Sequence, residues 1–398
     1  MNILFLTQFF SPNKGGGEVM FYQLANQLGM RGHKIFIIKH KMLGPDSSKD
    51  NLGSLSSNVI VYEVDPAVEH KGGLPAGIPQ NLLYILNSVK VGLKIIKNNR
   101  IDMIHCNAYS PVFAGWLLSK LTGIPLIITI HDVAILYGFR FWKKWMEQFT
   151  TFSSIKALIG YILELLVVRL SKNVHTVSDT NEKDILCINP RCNVVVIPNG
   201  LNLEWYNVEP INITYDNFIL FVGRLVHYKN LNVVIEAFKL LKGRCNVKLI
   251  VLGDGPMKSS WQRLVKKYGL EDMIEFKGHV SHIEKINLLG KTRALVLPSI
   301  FEGFGIVVLE AWALKKPVIV ADIEPLNRLV QQSVNGFLAK PNDPYEWAEF
   351  ISRLINDENL ARRLGENGFQ KLLRNYTITM IVKELENVYL EVLRRKIR

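Results

Sequence analysis

The stretch Arg293–Asp322, which reads RALVLPSIFEGFGIVVLEAWALKKPVIVAD, indicates a strand, a loop and a helix in succession. The apolar run Ala294–Leu297 is typical of a buried parallel strand, and Pro298 and Ser299 end it. Residues Ile306–Leu314 then have the apolar spacing of a helix. Strand, loop and helix in this order form the repeating unit of parallel sheets that are covered by helices.

Two carboxylates lie within this unit, Glu302 in the loop and Glu310 on the helix, eight residues apart. Eight residues are a little over two turns at ~3.6 residues per turn, so both side chains can face one cleft. Gly303 and Gly305 let the backbone approach a ligand, and the helix N-terminus offers N–H groups and a partial positive charge. These features suit a ligand with hydroxyls and phosphates, and a nucleotide sugar is the leading candidate.

Short apolar strands alternate with amphipathic helices along all 398 residues, which indicates parallel sheets with helices on both faces. The predicted strands are Ile3–Thr7, Lys34–Ile38, Val59–Val64, Met103–Cys106, Leu126–Ile130, Val174–Val177, Val194–Ile197, Phe218–Val222, Lys248–Leu252, Ile274–Lys277, Ala294–Leu297 and Pro317–Val320. Between the seventh and eighth strands lies a polar stretch that is predicted to link two domains. It contains Pro198-Asn199-Gly200, Asn202, Asn207, Pro210, Asn212 and Asn217.

We therefore predict an α/β protein with two doubly wound domains, residues 1–200 and residues 201–375. The final segment, Ile378–Leu393, has helical spacing and no strand after it. Residues 376–398 are accordingly predicted to form a helix that packs back on the N-terminal domain.

Composition indicates a cytoplasmic protein. Hydrophobic residues make up 48% of the chain and charged residues 21%, as in ordinary globular proteins. The four cysteines show no CxxC spacing, which favours reduced thiols. The opening MNILFLTQFF lacks the basic region and the small-residue cleavage site of a signal peptide, and none is expected. The most hydrophobic segment, Ile155–Val168, is too short and too charged to span a bilayer.

The net charge of +13 favours an anionic partner, namely nucleic acid, anionic lipid or a phosphorylated substrate. No nucleic-acid-binding module is recognisable, so the lipid and phosphate interpretations rank above nucleic acid. Between Phe139 and Lys172, aromatic and basic residues accompany the apolar helix of Ile155–Val168. This segment fits peripheral binding at the inner face of the cell membrane, or a buried helix with a solvated basic edge. Both interpretations stay open.

Two glycine-containing loops are candidate phosphate sites. Gly15-Gly16-Gly17 follows the first strand and precedes a predicted helix, Glu18–Leu28, although the pattern is not GxGxxG and a flexible turn is the alternative. In FILFVGRLVHYK, a strand is followed by Gly223, Arg224 and, five residues later, Lys229. Arg grips phosphate with two hydrogen bonds and Lys adds a point charge, which a diphosphate leaving group needs. Two solvated surface cations are the alternative.

His131 follows a predicted strand, and His105 follows the apolar run Ile101–Ile104 near the carboxyl end of another, where ligands of open α/β sheets bind. We favour His131, beside Asp132, over His105. The chain lacks Asp-x-Asp, His/Cys metal spacing, GxxxxGK[ST] and GxSxG. We therefore predict no metal and no cofactor other than the nucleotide-sugar co-substrate.

Taken together, these motifs resemble family 4 of the retaining GT-B glycosyltransferases. The resemblance extends over nearly the whole chain: PNKGGGE, TIHD, VIPNGLN, FVGRLVHYKNL, VLGDGP and PSIFEGFGIVVLEAWALKKPVI. It implies two Rossmann-like domains facing a central cleft. The sequence departs from the family pattern at Asp322–Leu326, where many members have a glycine-rich turn leading to Pro-Glu. The identity of the donor sugar is therefore the least transferable part of the resemblance.

The resemblance also implies roles for the charged candidates. Arg224 and Lys229 would hold the diphosphate, Glu310 the ribose hydroxyls and Glu302 the donor sugar. The partners would be a UDP- or GDP-linked sugar and a saccharide or lipid-linked acceptor, in cell-surface polysaccharide or glycolipid synthesis. A nucleotide-sugar epimerase and a non-catalytic nucleotide-sugar-binding protein are the alternatives.

For the remaining candidates the resemblance implies closer contacts with the sugar and phosphates. Backbone groups of Gly303, Phe304 and Gly305 would contact sugar and phosphate. Gly16 would approach the donor phosphate or the acceptor, and His131 would lie beside the anomeric carbon.

Overall fold

The computed structural model describes residues 1–12, 15–43, 55–69, 77–107, 109–149, 153–206 and 213–397. Two compact units are present. The first comprises Met1–Lys143, Ser154–Gly200 and Ile378–Arg398, and the second comprises Lys144–Ser153 and Leu201–Thr377. Of the predicted linker, Asn207, Pro210 and Asn212 lie outside the described residues.

The first unit is built on a parallel sheet. Its strands are β1 (Asn2–Leu6), β2 (Lys34–Met42), β3 (Val59–Val68), β4 (Met103–Asn107), β5 (Leu126–Ile130), β6 (Asn173–Thr176) and β7 (Asn193–Val196). The helices that accompany them are α1 (Gly16–Met30), α2 (Ile78–Asn98), α3 (Ser110–Thr122), α4 (Gly138–Glu147), α5 (Ser153–Leu170) and α6 (Asp179–Ile188). The strand order is β3-β2-β1-β4-β5-β6-β7. Because helices cover both faces, the central strand β1 is apolar throughout its buried part, Ile3–Leu6.

The second unit repeats this design. Its strands are β8 (Phe218–Val222), β9 (Lys248–Leu252), β10 (Ile274–Gly278), β11 (Ala294–Leu297), β12 (Val318–Ala321) and β13 (Gly336–Ala339). Its helices are α7 (Leu231–Leu241), α8 (Lys258–Tyr268), α9 (His282–Lys291), α10 (Ile306–Ala313), α11 (Leu326–Leu329), α12 (Pro344–Asn356) and α13 (Glu358–Asn375). The strand order is β10-β9-β8-β11-β12-β13, all parallel.

The last helix, α14 (Ile378–Ile397), belongs to the first unit and packs against α1. Arg31, which follows α1, forms an ion pair with Glu386 of α14 at 2.7 Å, and His33 contacts the same carboxylate at 2.7 Å. Helices α2, α3, α5 and α6 share a single apolar core with the sheet. That core contains Leu4 and Leu6, which alternate along β1 with the residues on its other face.

Two details of the predicted domains require correction. The segment Lys144–Ser153, which includes the last four residues of α4, groups with the second unit. Within that unit Gln148 accepts from the backbone N–H of His227 (2.9 Å) and contacts its Nδ1 (2.7 Å). The second unit also extends to Thr377 rather than to residue 375, since the N–H of Leu201 donates to the carbonyl of Tyr376 at 2.8 Å.

All twelve predicted strands are present. Four match the prediction at both ends, six have ends shifted by one residue, and β2 and β3 each extend four residues further than predicted. Strand β13 was not predicted, because Gly336–Ala339 contains only four residues and lacks a distinctive apolar pattern. It forms through its parallel pairing with β12. Among the described residues, no helix is long and apolar enough to cross a membrane.

Candidate functional site

In the second unit, the candidate residues lie at the point where the sheet order reverses. Strands β8 and β11 pair with each other, and the following strands continue outward on either side of them. Ligands of doubly wound sheets bind outside the carboxyl ends of such a strand pair. The loop after β8 carries Arg224 and Lys229, and the loop after β11 carries Ser299, Glu302 and Gly305.

The loop around Arg224 is held by the turn that follows β9. The N–H of Gly223 donates to the carbonyl of Leu252 (3.0 Å), and that of Leu225 donates to the carbonyl of Asp254 (2.9 Å). A Cβ on Gly253, which has a φ of 122°, would lie 2.0 Å from the carbonyl oxygen of Gly223. Only glycine therefore allows these two backbone segments to lie so close together. The VLGDGP motif thus positions the backbone that carries Arg224.

Three candidate residues lie on these two loops, and two of them are in direct contact. Lys229 and Glu302 make an ion pair through Nζ and Oε1, and both side chains are largely buried. The same carboxylate oxygen accepts from the Ser299 hydroxyl at 2.7 Å. Arg224 donates through Nη2 to the hydroxyl of Tyr228 at 3.1 Å. The N–H of Ile300 donates to the Tyr228 carbonyl at 2.8 Å, so the two loops are joined by their backbones.

The glycines of the second loop set the start of α10. Gly305 is the N-cap of α10 with a φ of 91°, and a Cβ there would lie 2.6 Å from Cδ2 of Leu326. Glycine is therefore required both for backbone conformation and for space. The buried Phe304 ring packs edge-on against Tyr376 at 5.9 Å, which leaves only its backbone for ligand contact. Leu326 belongs to the Asp322–Leu326 loop, so the segment that departs from the family pattern contacts this glycine.

Glu310 lies on α10 and is only 8% exposed. Its Oε1 accepts two hydrogen bonds, from the Tyr206 hydroxyl (2.9 Å) and from Nζ of Lys285 (2.9 Å). Burial, together with the nearby Glu310 carboxylate, holds the pKa of Tyr206 well above its ordinary value, so the phenol stays protonated and donates. Neither Tyr206 nor Lys285 was predicted from the sequence, since each lies far from Glu310 along the chain and in no recognisable motif.

In the first unit, the structure brings His131 and the glycine loop together. His131 directly follows β5, and its carbonyl accepts from Nδ2 of Asn181 at 2.7 Å. A Cβ on Gly17 would lie 3.1 Å from Cδ2 and Nε2 of the His131 ring. Gly16 is exposed and begins α1. Within the described part of the chain, Nε2 of His131 is buried and has no hydrogen-bond partner. Burial lowers the pKa of His131 to about 3, so the imidazole is neutral at physiological pH.

His105, the less favoured candidate, lies in an enclosed hydrogen-bonded chain. Nε2 of His175 donates to the Ile197 carbonyl (3.0 Å), so its Nδ1 accepts from the Thr129 hydroxyl (3.0 Å). Oγ1 of Thr129 then accepts from Nε2 of His105 (2.7 Å), whose Nδ1 accepts from the Tyr389 hydroxyl (2.6 Å). Burial lowers the pKa of both histidines, and that of His175 to about 4. This series of hydrogen bonds has a structural role, because it connects the neighbouring strands β4, β5 and β6 to α14.

No group of three or more His, Cys, Asp or Glu side chains is arranged to hold a metal ion in the parts of the chain that the structure describes.

Two family models match almost the entire chain. The model for Glycosyltransferase Family 4 matches residues 14–205, and the model for Glycosyl transferases group 1 matches residues 207–371. An uncharacterized glycosyltransferase of Methanocaldococcus jannaschii is 31% identical over 350 residues, which cover 86% of this chain and 91% of the relative. The chain belongs to the group 1 glycosyltransferases. The predicted family and enzyme class are thereby confirmed, and the epimerase and non-catalytic alternatives receive no support.

Two further comparisons extend this result. The O-antigen chain mannosyltransferase C of Escherichia coli is 28% identical to the glycosyltransferase over 413 residues, covering 100% of both chains. The structure of HepE from Anabaena in complex with UDP-glucose matches with a TM-score of 0.74 and 21% identity, covering 98% of this chain and 100% of HepE. The predicted class of two parallel-sheet α/β domains, as in GT-B glycosyltransferases, is confirmed. The roles of individual site residues stay predictions.

Proposed function

We propose that the glycosyltransferase moves a sugar from a UDP- or GDP-linked donor to a saccharide or lipid-linked acceptor, without a metal ion and with retention of anomeric configuration. The observation that carries the proposal is the cluster of Arg224, Lys229 and Glu302 at the carboxyl ends of β8 and β11. It places two cations and one carboxylate where doubly wound sheets bind nucleotides.

Donor binding exchanges partners within this cluster. The diphosphate of the donor replaces Glu302 as the partner of Lys229, and Arg224 binds it through its guanidinium. Glu302, still held by Ser299, then accepts from a hydroxyl of the donor sugar. Glu310 accepts from the ribose hydroxyls, and Tyr206 and Lys285 keep its carboxylate in place.

In the proposed reaction, one bond to the anomeric carbon breaks and another bond to it forms. The bond from this carbon to the diphosphate oxygen breaks, and the bond to the acceptor oxygen forms on the same face. The acceptor proton passes to the departing diphosphate oxygen, so charge balances without an enzyme nucleophile. Arg224 and Lys229 stabilise the charge on the leaving group, which is the work a metal ion performs in other transferases. Neutral His131 offers Nε2 to a sugar hydroxyl.

The acceptor class is proposed from the relatives. One is named an O-antigen chain mannosyltransferase and another a capsular polysaccharide biosynthesis glycosyltransferase. We place this glycosyltransferase in the assembly of a cell-surface polysaccharide or glycolipid, at the inner face of the cell membrane.

A thermal-shift panel of UDP-, GDP- and ADP-sugars, with and without EDTA, tests donor binding. We expect a rise in Tm with one nucleotide that survives EDTA and is lost in Arg224→Ala. The same rise should persist in Arg263→Ala, an exposed arginine of the same unit. No shift with any nucleotide, or a shift that EDTA abolishes, would contradict the proposal.

The stereochemical prediction needs product analysis. Proton NMR of the product formed from the donor identified above should show the donor's anomeric configuration. An inverted product would refute retention. An altered nucleotide sugar that forms without any acceptor would assign the chain as an epimerase instead.

A further inference from the structure

Helix α5 is apolar on two sides and carries one buried acidic side chain. Ile155 and Leu158 on its solvent side are 64% and 50% exposed, and Val167 and Val168 on its inner side belong to the core. Glu164 is the single acidic residue of α5 and is only 4% exposed. A buried carboxyl group is unfavourable unless its oxygens are hydrogen-bonded, so the partners of Glu164 indicate its role.

The partners of Glu164 lie on the segment that follows β5. One carboxyl oxygen accepts from the backbone N–H of Ala134 at 2.8 Å, and the N–H of Ile135 also donates to this carboxyl group. The other oxygen accepts from Nε1 of Trp142 on α4 at 3.2 Å. Glu164 therefore connects α5 to α4 and to the short helical turn Ala134–Tyr137.

A glycine of α5 brings the Trp142 ring to this carboxyl group. Gly160 lies one turn before Glu164, and a Cβ on it would lie 2.6 Å from Cζ3 of Trp142. Because Gly160 has no side chain, the indole, which is 3% exposed, packs directly on α5. This packing holds Nε1 beside Glu164, and the carboxyl group is thus fixed from the side opposite the loop.

The loop that carries His131 is held at both ends. The carbonyl of His131 accepts from Nδ2 of Asn181 on α6 at 2.7 Å, and three residues later Glu164 holds the N–H of Ala134. Between these two anchors the imidazole packs edge-on against Phe21, with ring centres 6.3 Å apart. The orientation of the ring therefore depends on the backbone that Asn181 and Glu164 fix.

The anchor adds little charge to this part of the first unit. Burial, and then the negative charge of Asp132, raise the pKa of Glu164 to about 8. The three N–H donors favour the ionised form but do not outweigh these two effects. At pH 7 most of the carboxyl group is protonated, so Glu164 acts on the loop mainly through hydrogen bonds and leaves the surroundings of neutral His131 uncharged.

We propose that Glu164 is a positioning residue of the candidate site: it holds the loop that carries His131 and thereby directs Nε2 toward the sugar hydroxyl. Its effect on turnover rests on the proposed function, whereas its effect on the imidazole does not. Displacement of a positioning group by about 1 Å can cost a large factor in rate, so an anchor three residues away is enough to matter.

Glu164→Leu in the full chain tests the effect on turnover, because it removes both acceptor oxygens at similar volume. We expect kcat/KM to fall by up to about tenfold, the limit set by the loss of the His131 hydrogen bond. The KM for the donor should stay nearly constant, since the proposed nucleotide contacts belong to the second unit. Glu164→Gln keeps an oxygen for the N–H of Ala134 and should stay within about twofold of the unaltered protein.

A double-mutant cycle separates positioning from general destabilisation. If Glu164 acts through His131, Glu164→Leu combined with His131→Ala should be no slower than His131→Ala alone. Additive losses, about 100-fold together, would overturn the proposal. Equal slowing by Glu164→Gln and Glu164→Leu would also overturn it, because the hydrogen bond to Ala134 would not be the cause.

NMR of the His131 imidazole tests the positioning without any substrate. The His131 signals, identified by their loss in His131→Ala, should shift in Glu164→Leu and stay in place in Glu164→Gln. The matched control is Glu386→Gln, which changes a largely buried carboxylate of the same unit that pairs with Arg31. It should leave the His131 signals and the kinetics unchanged.

Unmoved His131 signals in folded Glu164→Leu would overturn the proposal even if glycosyl transfer is confirmed. Shifted signals without transfer to any acceptor would support the positioning and contradict the proposed function. Circular dichroism shows whether each variant is folded. If Glu164→Leu does not fold, Trp142→Phe removes the donor to the second oxygen of Glu164 and should give a smaller shift of the same signals. No shift in Trp142→Phe would then overturn the proposal.

Discussion

The first six strands of the first sheet follow the same order as the six strands of the second sheet, but the two sheets differ in the side chains at their carboxyl ends. In the first unit the candidate group is His131, which is neutral because burial lowers its pKa to about 3. In the second unit the corresponding loops carry Arg224, Lys229 and Glu302, and helix α10 carries Glu310; these residues pair with one another or with neighbouring polar groups. Common topology thus provides two similar sheet edges that differ in charge. In the function proposed above, the first edge recognises sugar hydroxyls and the second recognises the charged nucleotide.

Replacing a cation of the second unit should have the largest effect. We expect Arg224→Ala to lower kcat/KM about 30- to 1000-fold, because the leaving diphosphate loses a preorganised donor. This fall corresponds to a rise of roughly 2–4 kcal/mol in the activation free energy. Steady-state kinetics with the identified donor would measure it, with Arg263→Ala as control. Unchanged turnover in Arg224→Ala would show that the charged residues at the carboxyl edge of the second sheet do not contribute to the mechanism.

A second charged residue of the second unit lies away from this edge. Lys316 is fully buried, donates to the carbonyl of Thr214 and lies 3.7 Å from the centre of the Tyr215 ring. Burial lowers its pKa from 10.5 to about 7. The unfolded chain therefore binds more protons than the folded chain between pH 7 and pH 10.5, and this group's contribution to stability increases as pH rises through that range.

Comparison of Lys316→Met with the unaltered protein isolates this effect. The contribution of Lys316 to the free energy of unfolding changes by at most about 1.4 kcal/mol per pH unit. The difference in unfolding free energy between the two proteins should therefore change by roughly 2 kcal/mol between pH 7 and pH 9. Denaturant unfolding at each pH would measure it, and the variant should be relatively more stable at pH 7. A pH-independent difference would show that Lys316 keeps its ordinary pKa.

Glu310→Gln should weaken donor binding more than it slows the reaction. The carboxylate would lose its charge-assisted bonds to ribose hydroxyls, about 1.5 kcal/mol, so KM should rise about tenfold with kcat less affected. Donor titrations followed by kinetics would separate the two quantities. A fall in kcat with KM unchanged would instead assign Glu310 to the reacting atoms.

His131→Ala should have the smallest effect, an approximately tenfold fall in kcat/KM from the loss of one neutral hydrogen bond. Because the imidazole does not titrate above pH 5, the pH profile of kcat/KM between pH 5 and pH 8 should keep its shape in the variant. If an inflection near pH 6.5 in the pH profile of kcat/KM were lost in His131→Ala, His131 would titrate in the active enzyme. The contrast between a neutral edge in the first unit and a charged edge in the second would then be wrong.

Much of the fold could be predicted because parallel strands that are buried on both faces leave continuous apolar runs. Twelve strands followed from such runs, whereas β13 depends on pairing with β12. In the site, Glu302 and Lys229 were predicted as neighbours of the donor, and the structure shows them in contact. Tyr206 and Lys285 could not be predicted, since only the packing of α9 and of the short helical turn Leu203–Tyr206 against α10 brings them to Glu310.

By itself, the sequence determined the order of strands and helices, the glycine loops and the charged residues that follow β8 and β11. These are local properties, set by apolar periodicity and by the backbone freedom of glycine. Only the tertiary structure decided that the turn after β9 supports Arg224 and that α5 is apolar toward water as well as toward the core. It also decided that His105 is enclosed, while Nε2 of His131 has no hydrogen-bond partner among the described residues. Burial and hydrogen-bond partners come from residues distant in the chain, so no local pattern encodes them.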